Sequence, residues 1–102
     1  MKEVKAIVQP FVLNNILEGL SEIGKLPGLT VSQVQSYSIE DLEMDPVLKI
    51  KLEIMVPADL VERVVTVIQR TAHTGNAGDG RIFVIPIEET IKIRTGERGT
   101  AD

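Results

Sequence analysis

Leu48-Lys49-Ile50-Lys51-Leu52-Glu53-Ile54-Met55-Val56-Pro57 settles the architecture of this chain. Leu48, Ile50, Leu52, Ile54 and Val56 share one face of an extended strand, while Lys49, Lys51, Glu53 and Met55 share the other. Pro57 then opens a helix, where its missing N–H is harmless, and Asp59 and Glu62 sit at that helix's positive end. Leu60, Val61, Val64, Val65 and Ile68 form its apolar stripe. A glycine-rich loop follows, and then Arg81-Ile82-Phe83-Val84-Ile85-Pro86-Ile87. That strand is apolar on both faces, so cover is expected on both, from helices on one side and another subunit on the other.

The first half repeats the pattern. Glu3 to Gln9 reads as a strand with Val4, Ala6 and Val8 on one face, and Pro10 starts a helix. Val12, Leu13, Ile16, Leu17, Leu20 and Ile23 form the stripe, Gly24 to Gly28 breaks it, and Leu29 to Tyr37 is a second strand. The order β-α-β, loop, β-α-β is the split βαβ or ferredoxin-like plan, an α+β sandwich. All 102 residues make a single domain, 1–102. Its core is thin, and oligomerisation would thicken it.

Eleven basic residues face 15 acidic ones, and only three aromatic side chains are present, which argues against a nucleic-acid partner. Without cysteine there is no disulfide framework or thiolate metal site, and His73 alone makes no His-rich one. The N-terminus lacks a signal-peptide pattern and no run approaches ~20 apolar residues. A cytoplasmic protein is expected.

The chemistry concentrates in Thr74-Gly75-Asn76-Ala77-Gly78-Asp79-Gly80-Arg81. Glycines let the main chain approach a ligand, inward N–H groups make an anion nest, and Arg81 adds a fork for phosphate oxygens. No Gly-Lys-Ser/Thr follows, so this is not a P-loop. The plainer reading is a flexible connection with Gly75 capping the preceding helix. His73 ends that helix, where a partly cationic side chain is favourable, or contacts a phosphate. Downstream, an extended Thr90-Ile91-Lys92-Ile93-Arg94 would turn Ile91 and Ile93 inward and present Lys92 and Arg94 together outward. The alternative is a solvated edge strand protected by its charges.

The stretch from Thr74 to Val84, with Ile91-Lys92-Ile93-Arg94-Thr95-Gly96-Glu97, resembles the C-terminal signature of the PII signal-transduction family. Lys5-Ala6-Ile7-Val8-Gln9-Pro10-Phe11 and the strand from Gly28 to Val34 fit the same family. The resemblance implies a homotrimer with an adenine nucleotide (ADP, AMP or ATP) in clefts between subunits. Gly78, Asp79, Gly80 and Arg81 would wrap the phosphates from one subunit, and Lys92 and Arg94 would reach them from its neighbour. Lys92 stands where the family usually has arginine, keeping the charge without the bidentate grip. Thr30 and Gly28 would read the adenine, and Ile7, Glu53 and Met55 would line the base pocket.

The departures lie in the family's partner-docking T-loop, here shortened to 38–46. The usual Gly-Phe-Gly-Arg-Gln reads Ser36-Tyr37-Ser38-Ile39-Glu40, so the phosphate-touching arginine is Ile39 and the magnesium-holding glutamine is Glu40. No loop-tip tyrosine is available for uridylylation. Tyr37, Ser38, Glu40 and Lys49 are the candidate effector residues. Lys49 matches the lysine that pairs with 2-oxoglutarate, whereas Glu40 would repel that dianion by about 1 kcal/mol or more at close range. Glu40, Asp41, Glu43 and Asp45 could join ligand phosphates around magnesium, but their spacing matches no metal motif, and no metal residue is assigned.

The expected function is a non-catalytic, PII-like regulator acting on a protein partner such as a transporter or metabolic enzyme. Some PII-like relatives accompany transporters, and one group associated with carboxysomes makes bicarbonate, together with adenine nucleotide, a candidate second effector. With Ile39 in place of arginine, little preference for ATP over ADP or AMP is expected. A small phosphohydrolase is the enzymatic alternative, but no base or nucleophile is evident beyond Asp79, which instead could orient backbone. A 2-oxoglutarate-responsive nitrogen regulator and a purely structural trimer complete the alternatives.

Overall fold

Residues 1–100 are described by the computed structural model, and within them the two half-patterns fold into one sheet. Strand β1 (Lys2–Val8) is followed by a 3-10 turn at Pro10–Val12 and helix α1 (Leu13–Ile23). Strands β2 (Leu29–Ser36) and β3 (Val47–Val56) lead to a second 3-10 turn at Ala58–Leu60 and helix α2 (Val61–Ala72). Strand β4 (Gly80–Pro86) closes the sheet, and β5 (Glu89–Ile91) with β6 (Arg98–Thr100) forms a separate hairpin. The sheet order is β2-β3-β1-β4, antiparallel throughout, as the ferredoxin-like plan requires.

The period-2 and period-3.6 stripes meet in one core. Val4, Ala6 and Val8 of β1 and Ile50, Leu52, Ile54 and Val56 of β3 are buried beneath Val12, Ile16 and Leu20 on one side and Val61, Val64, Ile68 and Ala72 on the other. Leu48, expected with them, lies beyond the helices and stays half-exposed. The opposite sheet face carries no helix. Register aligns Ser32, Lys51, Ile7 and Arg81 across that face, and beside them Thr30, Glu53, Lys5 and Phe83.

Two expectations need correction. Strand β4 pairs only with β1, and Val84, on the helix side opposite Val4, remains 47% exposed, so the helices cover that face only in part; Phe83, on the face where another subunit was expected, is 44% exposed in a single chain. Ile91 and Ile93 do not point inward from a continuous strand. The chain reverses at 92–97, where the Gly96 N–H donates to the Lys92 carbonyl and the Lys92 N–H to the Glu97 carbonyl. Gly96 supplies the positive φ of 72° that this reversal needs, and Ile93 on the turn is 100% exposed. The expected tail, 95–102, therefore contains β6; positions 101 and 102 lie outside the described residues.

These projections make the protomer long. Its axes are 47 × 28 × 20 Å and its radius of gyration is 15.2 Å, against about 13 Å for a compact domain of this length.

Candidate functional site

Helix α2 ends at Ala72, with His73 as the extended residue after it, as one reading of His73 held. Gly75 is not a helix cap: its φ of 89° belongs to the loop beyond. What shapes that loop is Asp79. Its carboxylate accepts the Thr74 N–H at 2.7 Å, the Gly75 N–H at 2.9 Å and the Thr74 hydroxyl. The His73 ring nitrogen lies 3.8 Å away. The Thr74 hydroxyl bond, then the Thr74 and Gly75 N–H bonds, hold the carboxyl below its ordinary 3.8, with His73 adding a smaller push the same way. The nest expected from the sequence is thus partly filled by the loop's own carboxylate. Asp79 organises backbone, and its oxygens are committed to that role.

Gly80 joins this loop to the sheet. Its φ is 106°, and a Cβ there would overlap the Ile7 carbonyl oxygen, so only glycine lets β4 pair this closely with β1. The Gly78 carbonyl is gripped from the sheet by Gln9 Nε2 and Lys49 Nζ, each donating at 2.8 Å. Ile7, Ser36, Lys49, Ala77, Gly78, Gly80, Arg81 and Phe83 together line an open cleft of about 390 Å³ on the helix-free face. Its cationic groups are Lys49 and Arg81, and Arg81 makes no ion pair among the described residues. A cleft with amides, an ammonium and a guanidinium around apolar Ile7 and Phe83 is suited to an anion with a flat or apolar body.

Ile7, Lys49, Gly78, Gly80 and Arg81 therefore converge. Glu53 and Met55 share the face on β3, with Glu53 3.6 Å from Lys51. Thr30 pairs with Glu53 at the β2 edge, and Gly28 precedes it. The β2 edge is three strand spacings, about 14 Å, from β4. Lys92 and Arg94 come after the far end of β4, whose last residue, Pro86, is six residues from Gly80, about 20 Å along the strand. Lys92 lies 3.9 Å from Glu97 there. Gly28, Thr30, Lys92 and Arg94 are not among the residues that line this cleft. Tyr37, Ser38 and Glu40 are exposed in the β2–β3 connection and do not line the cleft; there Ser38 Oγ accepts the Asp41 N–H and the Tyr37 hydroxyl donates to Gln35.

Ser36 and Phe83 also line the cleft and Gln9 holds the Gly78 carbonyl, and no local pattern in the sequence marks these three. Gln9 follows the end of a strand whose spacing signals only packing, and its bond to Gly78 spans 69 positions. Among the described residues no three carboxylate or imidazole side chains gather as a metal site, and no helix is long and apolar enough to cross a membrane.

A family model described as "Nitrogen regulatory protein P-II" matches residues 1–97. The chain is 39% identical to the nitrogen regulatory protein P-II of Azospirillum brasilense, covering 97% of this chain and 96% of that protein. It is 42% identical to the protein of that name from Bradyrhizobium diazoefficiens, over the same shares. To nitrogen regulatory protein P-II 1 of Escherichia coli K12 it is 40% identical, over 99% and 98%. The Azospirillum alignment runs over 109 positions yet takes in 97% of a 102-residue chain, so several residues of that relative have no counterpart here. With the fold and a near-full-length match in agreement, the chain belongs to the nitrogen regulatory protein P-II family.

Proposed function

We propose that this chain is a non-catalytic regulatory sensor that binds an adenine nucleotide between protomers of a homotrimer and signals through the 38–46 loop to a protein partner, a transporter or metabolic enzyme. The observation that carries the reading is the convergence of Lys49, Arg81 and the Ala77–Gly80 backbone on one open cleft. Phosphates occupy that cleft. Gly28 and Thr30 on the β2 edge, and Lys92 and Arg94 beyond β4, are supplied by the neighbour, a reading supported by their not lining the cleft of a single chain. The exposed Phe83 and Val84 and the elongated shape support such an assembly.

Calorimetry with AMP, ADP and ATP, run beside native mass spectrometry, tests the reading. Binding of one nucleotide per subunit to a three-subunit species is expected. Arg81→Ala removes a charge-assisted contact of about 1.5–3 kcal/mol, which is roughly 10- to 150-fold in Kd. A lone subunit, or nucleotide binding untouched by Arg81→Ala, refutes it.

A second reading, a 2-oxoglutarate-responsive nitrogen regulator, is favoured by the relatives' names and by Lys49 facing the cleft. Titrating 2-oxoglutarate and bicarbonate into the ATP- and ADP-loaded protein separates the two: heat from 2-oxoglutarate alone selects the second reading.

A further inference from the structure

The charge of this chain is segregated. Its net −4 equals the four carboxylates Glu40, Asp41, Glu43 and Asp45, and positions 38–46 contain no basic residue. Without those four, acidic and basic residues are equal in number. All four side chains are exposed, and among the described residues none of them pairs with a cation. The hydrogen bonds inside the loop are short-range turn contacts: the Asp41 N–H to Ser38 Oγ, the Glu43 N–H to Asp41 Oδ1 and the Met44 N–H to the Asp41 carbonyl, each at 3.2 Å. The loop is rooted at the cleft, since Ser36 at its start and Lys49 just past its end both line the cavity that holds Arg81.

We infer that this acidic loop is a charge-based specificity determinant of the cleft, discriminating against the more highly charged nucleotide. The inference rests on the nucleotide reading of the cleft and adds the identity of the selecting element. At neutral pH AMP, ADP and ATP carry about two, three and four negative charges, so each added phosphate meets the same field of four carboxylates. The four carboxylates lie four to six residues from Ser36 or Lys49, within a chain reach of roughly 13–20 Å of the cleft; at about 12 Å, inside that reach, Coulomb repulsion in water screened at 50 mM salt amounts to roughly threefold in Kd per added ligand charge. At 0.5 M salt the Debye length falls to about 4 Å and the effect to near unity. By linkage the repulsion is reciprocal, so a bound triphosphate also drives the loop outward, more strongly than a monophosphate does.

The test uses the full-length protein and the variant Glu40→Gln/Asp41→Asn/Glu43→Gln/Asp45→Asn, whose exposed positions leave the core intact. Kd values for AMP, ADP and ATP are measured without magnesium at 50 mM and 0.5 M salt. In the variant the ATP affinity rises relative to that for AMP by about tenfold at low salt, ADP falls between, and the gain vanishes at high salt. Equal changes for all three nucleotides, no change, or a gain that persists at 0.5 M salt overturns the inference while leaving the cleft reading in place. Absence of nucleotide binding to the native protein overturns the cleft reading and the inference with it. The single variant Glu40→Gln, expected to give a smaller gain in the same order, separates a field effect from a rearranged loop.

Discussion

Replacing Gly80 by alanine tests whether the glycine loop is fixed by backbone geometry. At φ 106° a non-glycine residue is strained by about 1–3 kcal/mol. The added methyl also overlaps the Ile7 carbonyl oxygen, so β1 and β4 must part where Val8 faces Gly80 and Ile7 faces Arg81. Losing about two ladder hydrogen bonds there adds roughly 0.5–1.5 kcal/mol each. The sum, about 2–6 kcal/mol, is a large share of a typical domain's 5–15 kcal/mol. With a urea slope of about 1–3 kcal/mol/M, the unfolding midpoint falls by roughly 1 M or more. Protein concentration must be held fixed, since the proposed subunit association would shift the midpoint too. Gly78→Ala is the control: a Cβ there lies 2.8 Å from Gln9 Nε2, a movable amide, and Gly78 has no positive φ. Its loss should stay below about 1 kcal/mol. Equal losses in the two variants, or a Gly80→Ala protein with the native midpoint, would refute the reasoning.

Asp79 predicts a pH signature. Its folded carboxyl titrates below 3.8, so the stability it contributes is complete above that value and lost as pH falls through the lower, folded one. The difference in urea midpoint between native protein and Asp79→Asn should therefore be constant from pH 7 to 5 and shrink below pH 4; growth of the difference on acidification contradicts this sign. In the same variant the Thr74 and Gly75 amides should lose protection from hydrogen exchange. Ile68→Ala, at a fully buried position of α2, should destabilise by about 2–5 kcal/mol and leave ADP affinity at saturating folded protein unchanged; a weakened Kd would mean that α2 packing, rather than local geometry, positions the loop.

Periodicity determined much of this protein by itself. The alternation from Leu48 to Val56 and the stripes through Ile16 and Ile68 specify strands and helices because a buried face must repeat every 2 or every 3.6 residues. The glycine-rich run with Arg81 marked the candidate cleft that it lines, since that residue chemistry is local. Tertiary structure alone decided what those groups do. Register put Ile7, Lys51 and Arg81 in one row, the Asp79 carboxylate took up amides that had looked free, and Gln9 crossed 69 positions to hold the Gly78 carbonyl. The turn at 92–97 reversed a segment whose alternation reads as a continuous strand. The reason is physical: patterning reports which side of an element is apolar, whereas the pairing of polar groups depends on distances that exist only once the sheet has closed.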